Sequence, residues 1–425
     1  MKINYPLKTA ALFSFSLFTG FTLLSKQQAQ AEDWPEFRGP GGQGHSQAKN
    51  VPVKWSADKN VAWKSEIPGI AWSSPIVVGS QIFLTTAIPE GKNNYTLHAL
   101  AVNAGDGKIL WDVEVFGKQK GKPARMHKKN SHASPTPIFE DGKLYVHFGH
   151  DGTACLNAAD GKTLWKTNVQ YNPVHGNGGS PVLVDDLLIF SCDGKDDPFI
   201  IALDKNSGKS KWKTKRNVEV ARNFSFTTPL LIEVNGQRQL ISPASGAVIA
   251  YDPSNGKELW RCGYGEGYSV VSRPLYANGL IYVSTGFNKA KLMAIRADGK
   301  GDVTKTHVAW IYEKNVPRES SPIIVDDYLY MNDDKGLATC LDAKSGKVIW
   351  EDRLTKKNYS AAPIYAGGLI YFHDGEGVTT VIKPGKKLDV VASNDIGEHG
   401  LSSFAVTDGS LLIRTDSALF RIGKP

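Results

Sequence analysis

The stretch from Ser320 to Trp350 reads SSPIIVDDYLYMNDDKGLATCLDAKSGKVIW. It holds four short apolar runs, PIIV, YLYMN, LATCLD and KVIW, and the pair Asp326-Asp327 separates the first two. Runs rich in β-branched and aromatic residues, bounded by Asp, Asn and Gly, are typical of strands joined by tight turns. The stretch therefore predicts four consecutive antiparallel strands.

The turn before the last of these strands recurs along the chain. An Asp or Asn stands four residues before a Gly-Lys pair, and that Gly stands four residues before a Trp. The five copies are Asn103/Gly107/Trp111, Asn157/Gly161/Trp165, Asp204/Gly208/Trp212, Asp252/Gly256/Trp260 and Asp342/Gly346/Trp350. The Asp or Asn side chain can accept bonds from N–H groups of its own turn, and Gly can adopt the left-handed conformation. Identical spacing in five places predicts one repeated structural unit.

Prolines open the repeated units at intervals of 41 to 60 residues. They are Pro75, Pro135, Pro181, Pro229, Pro274, Pro322 and Pro363, and an eighth unit begins near Phe404. Four strands per unit at this period indicate a β-propeller. We therefore predict an all-β fold of eight four-stranded antiparallel blades. The last unit has three strands and the strand at Trp63 has no unit, so we expect this N-terminal strand to close the ring.

Three regions are predicted along the chain. Residues 1–31 read as a signal peptide, since Lys2 and Lys8 precede an apolar run and Ala29-Gln30-Ala31 is a small-x-small cleavage site. Residues 32–59 are rich in Gly and Pro and are expected to lap one face of the ring. Residues 60–425 form the propeller. After cleavage before Glu32 we expect a periplasmic or secreted monomer with no transmembrane segment.

The charged residues and cysteines exclude several classes of function. The chain has 50 Lys and Arg against 42 Asp and Glu, a net charge of +8. Many of the lysines fall in the predicted turns, and no basic stripe typical of nucleic-acid binding occurs. Cys155, Cys192, Cys262 and Cys340 include no adjacent or CxxC pair. They predict buried, reduced thiols, and no His or Cys spacing predicts a metal site.

Candidate site residues lie in the connections between blades, where the sequence stops repeating. In a propeller these connections run over one face and deliver side chains to the mouth of the central funnel. The ligand-binding candidates are Arg125, His127, His132, His175, Arg222, Phe224, Tyr268, Arg273, Arg318, Glu319, Tyr359 and His399. Arg suits anionic groups, His suits proton transfer, and aromatic faces suit rings or sugars. The alternative is that these polar side chains only cap the blade ends.

The repeat resembles a known family. The pattern [DN]-x-x-x-G-K-x-x-W with Ser-Pro strand starts resembles the PQQ-like repeat of quinoprotein alcohol dehydrogenases and of the BamB-type outer-membrane assembly lipoprotein. Five further strings resemble exported single-domain PQQ-like propellers: DWPEFRGP at 33–40, NSHASPTP at 130–137, GGSPVL at 178–183, SFTTPL at 225–230 and GYSVVSRP at 267–274.

The two sides of this resemblance imply different functions. The dehydrogenases imply a funnel for pyrroloquinoline quinone, but their adjacent-cysteine disulfide is missing here and no Asp base with Glu and Asn calcium ligands can be placed. The assembly lipoprotein implies a scaffold that grips another protein by its loops, although no lipid-attachment Cys stands near the cleavage site. Two classes stay open. One is a scaffold for a small anionic or carbohydrate ligand or another envelope protein, and the other is a quinone-dependent oxidoreductase or carbohydrate-active enzyme.

Overall fold

The computed structural model describes residues 1, 32–91, 94–117, 126–407 and 409–423. The predicted signal peptide therefore lies outside the described residues, apart from Met1. Residues 32–425 form one compact unit. The described regular structure consists of strands β1 to β33 and two 3₁₀ turns, Pro40–Gly42 and Gly149–Asp151. Nowhere in these ranges is there a helix long and apolar enough to cross a membrane.

The strands form eight antiparallel sheets, which confirms the predicted propeller. Blade 1 contains β2 (Ile76–Val78), β3 (Gln81–Pro89), β4 (Tyr95–Asn103) and β5 (Ile109–Phe116), and blade 2 contains β6 (Ile138–Glu140), β7 (Lys143–His147), β8 (Thr153–Asn157) and β9 (Thr163–Thr167). Blade 3 contains β10 (Val182–Val184), β11 (Leu187–Cys192), β12 (Phe199–Asp204) and β13 (Ser210–Lys215), and blade 4 contains β14 (Leu230–Val234), β15 (Gln237–Pro243), β16 (Ala247–Tyr251) and β17 (Glu258–Gly263).

Blades 5 to 8 continue the same order, and the last blade takes its outer strand from the start of the chain. Blade 5 contains β18 (Leu275–Ala277), β19 (Leu280–Ser284), β20 (Leu292–Arg296) and β22 (Val308–Tyr312), and blade 6 contains β23 (Ile323–Val325), β24 (Tyr328–Asn332), β25 (Leu337–Asp342) and β26 (Val348–Arg353). Blade 7 contains β27 (Ile364–Ala366), β28 (Leu369–His373), β29 (Val378–Ile382) and β30 (Val390–Asp395), and blade 8 contains β31 (Ala405–Thr407), β32 (Ser410–Arg414), β33 (Ala418–Ile422) and β1 (Val61–Glu66). The short β21 (Gly301–Asp302) adds a parallel fifth strand to blade 4.

The ring closes through β1, as predicted. This strand pairs antiparallel with β33, and Val61 stands opposite Ile422. First strands of neighbouring blades contact each other, as β2 does with β6, β18 with β23, β23 with β27 and, across the closure, β2 with β31, so these strands surround the axis. In each four-stranded meander the connections between blades share one face, called here the mouth face. The first hairpins and the Gly-Lys turns lie on the opposite face, called here the turn face.

The repeated turn joins each blade to the previous one. Most Trp side chains on the outer strands donate their indole N–H to a carbonyl in the turn of the next blade, as Trp310 does to Ala343 at 3.1 Å. The other bonds of this kind are Trp63 to Ala104, Trp111 to Ala158, Trp165 to Lys205, Trp212 to Pro253 and Trp350 to Gly385, at 2.9 to 3.1 Å. Trp260 is the exception, because it donates to Gln239 within its own blade at 2.7 Å.

The N-terminal segment, residues 32–59, binds along the turn face. Trp34 exchanges two backbone hydrogen bonds with Val77, at 2.7 and 3.0 Å. Further along, Ser46 donates its N–H to the carbonyl of Tyr365 at 2.8 Å. Trp55 is buried and stacks on Tyr371 at 6.4 Å between ring centroids. The segment thus contacts blades 1 and 7 and spans the end of the channel.

The structure corrects the predicted start of blade 2 and agrees with the prediction for the cysteines. Blade 2 begins at Ile138, directly after Pro137, so Pro137 and not Pro135 is the proline equivalent to those of the other blades. The four cysteines are all buried and free, in agreement with the predicted reduced thiols.

Candidate functional site

A cavity of about 290 Å³ opens on the mouth face of the ring. Its inner end is formed by residues that directly precede the first strands, among them Ser74, Thr136 and Ser180. The backbone N–H of each donates to the hydroxyl of the next blade: Ser74 to Thr136 at 3.0 Å and Thr136 to Ser180 at 2.9 Å. Phe37 of the N-terminal segment also lines the cavity, from the side of the turn face. The funnel therefore has a floor of hydroxyl groups and one apolar ring.

Five rings in edge or stacked contact follow one side of the mouth, and this row is called here the aromatic arc. It runs from His127 through His175, Phe224 and Tyr268 to Phe287. Successive ring centroids are 5.6, 5.5, 5.5 and 6.3 Å apart. Tilted and edge-to-face pairs at these separations are mutually favourable. The arc is a preformed, largely apolar surface contributed by several blade connections.

The arc is held in place by bonds between two connections. His175 adopts a left-handed backbone conformation with φ of 65°, which turns its carbonyl toward the connection that precedes blade 2. That carbonyl accepts a bond from Asn130 Nδ2 at 2.8 Å and a longer one from the N–H of His127 at 3.5 Å. Asn130 Oδ1 in turn accepts from Ser131 N–H at 2.9 Å. These bonds fix the positions from which both histidine rings project.

Two guanidinium groups lie over rings of the arc. Arg222 stands 4.7 Å from the Tyr268 ring centroid and donates from Nη1 to its hydroxyl at 2.6 Å. Arg318 stands 5.0 Å from the Phe287 ring centroid. Cation–π contacts of this kind orient guanidinium groups and leave their outer edges available for anions. Arg222 thus adds a positive charge to the exposed side of the arc, whereas Arg318 is also paired with Asp334, whose Oδ2 lies 3.8 Å from its Nε.

An ion pair spans the mouth between the connections that precede blades 2 and 6. Lys129 Nζ lies 2.8 Å from Glu319 Oε2, and the same oxygen accepts a bond from Ser360 Oγ at 2.7 Å. Lys129 precedes blade 2 and Glu319 precedes blade 6, four blades apart in a ring of eight, so the two side chains meet across the axis. Their side chains are 21% and 12% exposed, which makes the pair largely desolvated.

The structure brings half of the predicted site residues together. Those that line the cavity are His127, His175, Arg222, Phe224, Tyr268 and Glu319. Two more lie at its rim. Arg318 covers Phe287, and His399 contacts the lining residue Trp72 at 5.8 Å while its Nδ1 bonds Asp416 at 2.8 Å. Arg125 lies outside the described residues.

Three predicted candidates are placed elsewhere by burial. Arg273 is 2% exposed, and its guanidinium bonds Glu36 at 3.1 Å and the carbonyl of Phe37, so it ties the N-terminal segment to the ring. Tyr359 is fully buried in the core, and burial raises its pKa to about 12. His132 stacks on Tyr95 at 3.6 Å beside the funnel, where burial first and then His150 lower its pKa to about 4. None of the three reaches the cavity.

Several lining residues were not predicted. Lys129 stands two residues after His127, and its place in the same connection was the available signal. Phe287 lies on the loop between the second and third strands of blade 5, a type of loop that the sequence pattern indicates only as a turn. Phe37 belongs to the N-terminal segment, which was expected to lap one face of the ring. Ser360 carries no distinguishing pattern.

Pyrroloquinoline quinone, the cofactor that the resemblance to dehydrogenases implies, would require ligands for a calcium ion beside it in the funnel. In the described part of the chain, no group of three or more His, Cys, Asp or Glu side chains is placed to hold a metal ion. Among the described lining residues the one carboxylate is Glu319, which is already paired with Lys129. The donor set therefore does not fit a metal-bound quinone.

Comparison with known proteins gives concordant matches. The family model described as "Outer membrane protein assembly factor BamB" matches residues 98–311 and 225–422. The protein of that name from Moranella endobia is 23% identical over 300 residues, a region that covers 69% of this chain and 67% of the relative.

Two solved structures share the fold. BamB from Moraxella catarrhalis superposes with a TM-score of 0.58 at 14% identity, covering 85% of this chain and 96% of the other. Quinohemoprotein alcohol dehydrogenase from Comamonas testosteroni superposes with a TM-score of 0.64 at 11% identity, covering 93% and 81%. At these identities the similarity establishes the fold alone.

Proposed function

Because the chain belongs to the family of outer membrane protein assembly factor BamB, we propose that it is an exported, non-catalytic scaffold that binds a segment of another envelope protein at its mouth face. The predicted signal peptide over residues 1–31 supports export to the periplasm. The name of the relatives supports a role among envelope proteins. The observation that carries the proposal is the aromatic arc.

The length of the arc favours a polypeptide over a small molecule. Its four ring-to-ring steps of 5.5 to 6.3 Å trace a path of roughly 23 Å, the length of about seven extended residues at ~3.3 Å each. A single sugar or aromatic acid would cover only one or two of these rings. An extended segment places alternate side chains on one side, where they can contact successive rings.

The charges around the arc indicate what kind of segment binds there. Arg222 and Arg318 lie over Tyr268 and Phe287, and Arg222 has no carboxylate partner among the described residues. Charge-assisted bonds from guanidinium to carboxylate are among the stronger polar contacts. A segment that alternates apolar and acidic side chains therefore matches the arc and Arg222.

Calorimetry with a synthetic probe tests this function. The probe is an acetylated heptapeptide of alternating phenylalanine and glutamate, titrated into residues 32–425, with benzoate and cellotetraose as small-ligand arms. Arg222→Ala should weaken peptide binding by about 1.5–3 kcal/mol, the worth of a charged hydrogen bond. Because Arg222 is exposed, the substitution should change the free energy of unfolding by less than ~0.5 kcal/mol.

The matched control is Arg296→Ala, an exposed arginine at the end of β20 on the turn face. It removes the same charge away from the mouth and should leave the affinity unchanged. Binding of benzoate or cellotetraose without the peptide would instead assign the funnel to a small ligand. Equal weakening by both arginine variants would show that net charge, and not the arc, drives binding.

A further inference from the structure

We propose that Glu319 is a built-in competitor: it occupies Lys129 while the mouth is empty, and a carboxylate of the bound segment takes its place. This inference rests on the proposed function, since it concerns how the same mouth exchanges its own anion for that of a partner. It makes Lys129 a binding residue and Glu319 a residue that sets the affinity for acidic segments.

The position of the pair supports this role. Lys129 and Glu319 both line the cavity and meet across its axis, so a segment lying in the mouth reaches their bond. The acceptor oxygen Oε2 is shared by Lys129 Nζ at 2.8 Å and Ser360 Oγ at 2.7 Å. After exchange, Ser360 still offers Glu319 a donor. The Lys129 side chain is 21% exposed, so water can reach its ammonium group when Glu319 leaves, and a carboxylate of the bound segment can then replace Glu319 as its partner.

The pair is not needed to hold its two connections in place. The connection of Lys129 is fixed by Asn130, whose Nδ2 bonds the carbonyl of His175 and whose Oδ1 accepts from Ser134 Oγ at 2.6 Å. On the other side, the N–H of Arg318 donates to Asp334 Oδ1 at 3.0 Å. Since each connection has its own anchors, the ion pair can open without loss of the surrounding fold.

A double-mutant cycle tests the exchange, with the alternating phenylalanine–glutamate heptapeptide as probe and calorimetry as readout. Glu319→Gln frees Lys129 and should tighten binding by roughly tenfold, the range of one charge-assisted bond. Lys129→Met should weaken binding. In the Lys129→Met background, Glu319→Gln should change the affinity by about twofold or less, because the group for which Glu319 competes is gone.

The control variant is Glu140→Gln, which removes a carboxylate from a comparable pair, Lys205 with Glu140 at 2.6 Å. Glu140 ends β6 at the turn face, so this change should leave the peptide affinity within about twofold. Thermal unfolding of all variants is measured alongside, and Glu319→Gln is expected to unfold as the unmodified chain does.

Each other outcome has a separate meaning. If the unmodified chain binds the heptapeptide and Glu319→Gln binds no tighter, the competitor role is refuted while the scaffold function stands. If the cycle is additive, Glu319 acts only through net charge, and the exchange is again refuted. If no variant binds the heptapeptide although all remain folded, the scaffold function itself fails. A clear loss of thermal stability in Glu319→Gln would make the pair a structural tie.

Discussion

Four histidines fall into two pairs that differ in burial. His147 and His373 are buried at the ends of β7 and β28, and each bonds a threonine hydroxyl through Nδ1, Thr153 at 2.8 Å and Thr379 at 2.9 Å. Burial lowers the pKa of both side chains to about 3. His127 and His175 instead line the mouth. The first pair is thus part of the core of its blades, and the second faces the cavity.

We expect the buried pair to make the fold sensitive to acid. The pKa of each is about 3 when folded and ~6.5 when unfolded, so the unfolded chain binds more protons between these values. Their contribution is fully present above pH ~6.5 and is lost as pH falls toward 3, at about 1.4 kcal/mol per pH unit for each histidine. His147→Asn should flatten the plot of unfolding free energy against pH, measured by urea titration.

The exposed His127→Asn is the comparison variant for this experiment, because its side chain is in solvent in the folded and the unfolded chain. It should keep the slope of the unmodified protein. A slope that stays the same in His147→Asn would mean that other groups cause the acid sensitivity.

At the scale of the elements, the repeated turn has two separate requirements for glycine. Gly346 adopts φ of 70°, and a Cβ at that position would lie 2.6 Å from the Trp310 ring of the preceding blade. Gly279, in the first hairpin of blade 5, has φ of 73° but nothing within 4 Å of such a Cβ. The turn of Gly346 thus needs glycine for its conformation and for packing between blades, and the turn of Gly279 needs it for conformation only.

Substitution by alanine should separate these two requirements. Gly279→Ala should cost about 1–2 kcal/mol, the strain of a left-handed residue with a side chain. Gly346→Ala should cost a further ~1–3 kcal/mol, because the added methyl group overpacks the ring of Trp310. Denaturant titration measures both values. Equal losses in the two variants would show that Trp310 moves aside freely.

The turn pattern also shows what sequence alone could predict. Five exact copies of the motif reveal the repeated unit and the unit starts give the blade count, because both patterns are local in the sequence. The funnel is less predictable: His127, Phe224 and Tyr268 were found because connections between blades must pass the mouth. Contacts such as Lys129 with Glu319 join residues four blades apart, and no local pattern records which side chains meet across the axis. Arg273 and Tyr359 were predicted to face the funnel but are buried, because the contacts that bury them also join residues far apart in the sequence.

At the scale of the whole molecule, the N-terminal segment supplies a residue that blade 7 lacks. In blade 6 Trp350 stands opposite Cys340 and packs on Tyr330 at 6.1 Å between ring centroids. The equivalent position in blade 7 is Ala392, opposite Val381. Trp55 instead stacks on Tyr371 of that blade, and its backbone N–H donates to Asn394 Oδ1 at 2.9 Å. A side chain far away in sequence thus fills a gap in the repeat.

Trp55→Ala should therefore destabilise the entire ring and not only the segment. We expect a loss of about 3–5 kcal/mol, as for other buried tryptophans cut back to alanine. Unfolding should stay a single transition, since each blade depends on its neighbours. Leu110→Ala, at a side chain 47% exposed on the outer strand of blade 1, should change stability by less than ~0.5 kcal/mol. A local loss detected only by hydrogen exchange in residues 32–59 would contradict this expectation.

The pairing of β1 with β33 also decides how the ring responds to mechanical tension. Val61 begins one strand, Ile422 ends the other, and the two stand opposite each other. A pull on residues 60 and 423 therefore acts at the same end of the antiparallel pair and breaks its hydrogen bonds one after another, as in a zipper, instead of shearing them together. When the pull comes from residue 32, the N-terminal segment must first detach from Val77 and Tyr365 on the turn face. The N-terminal segment thus protects the pairing of β1 with β33, which joins the two ends of the ring, from a force applied at residue 32.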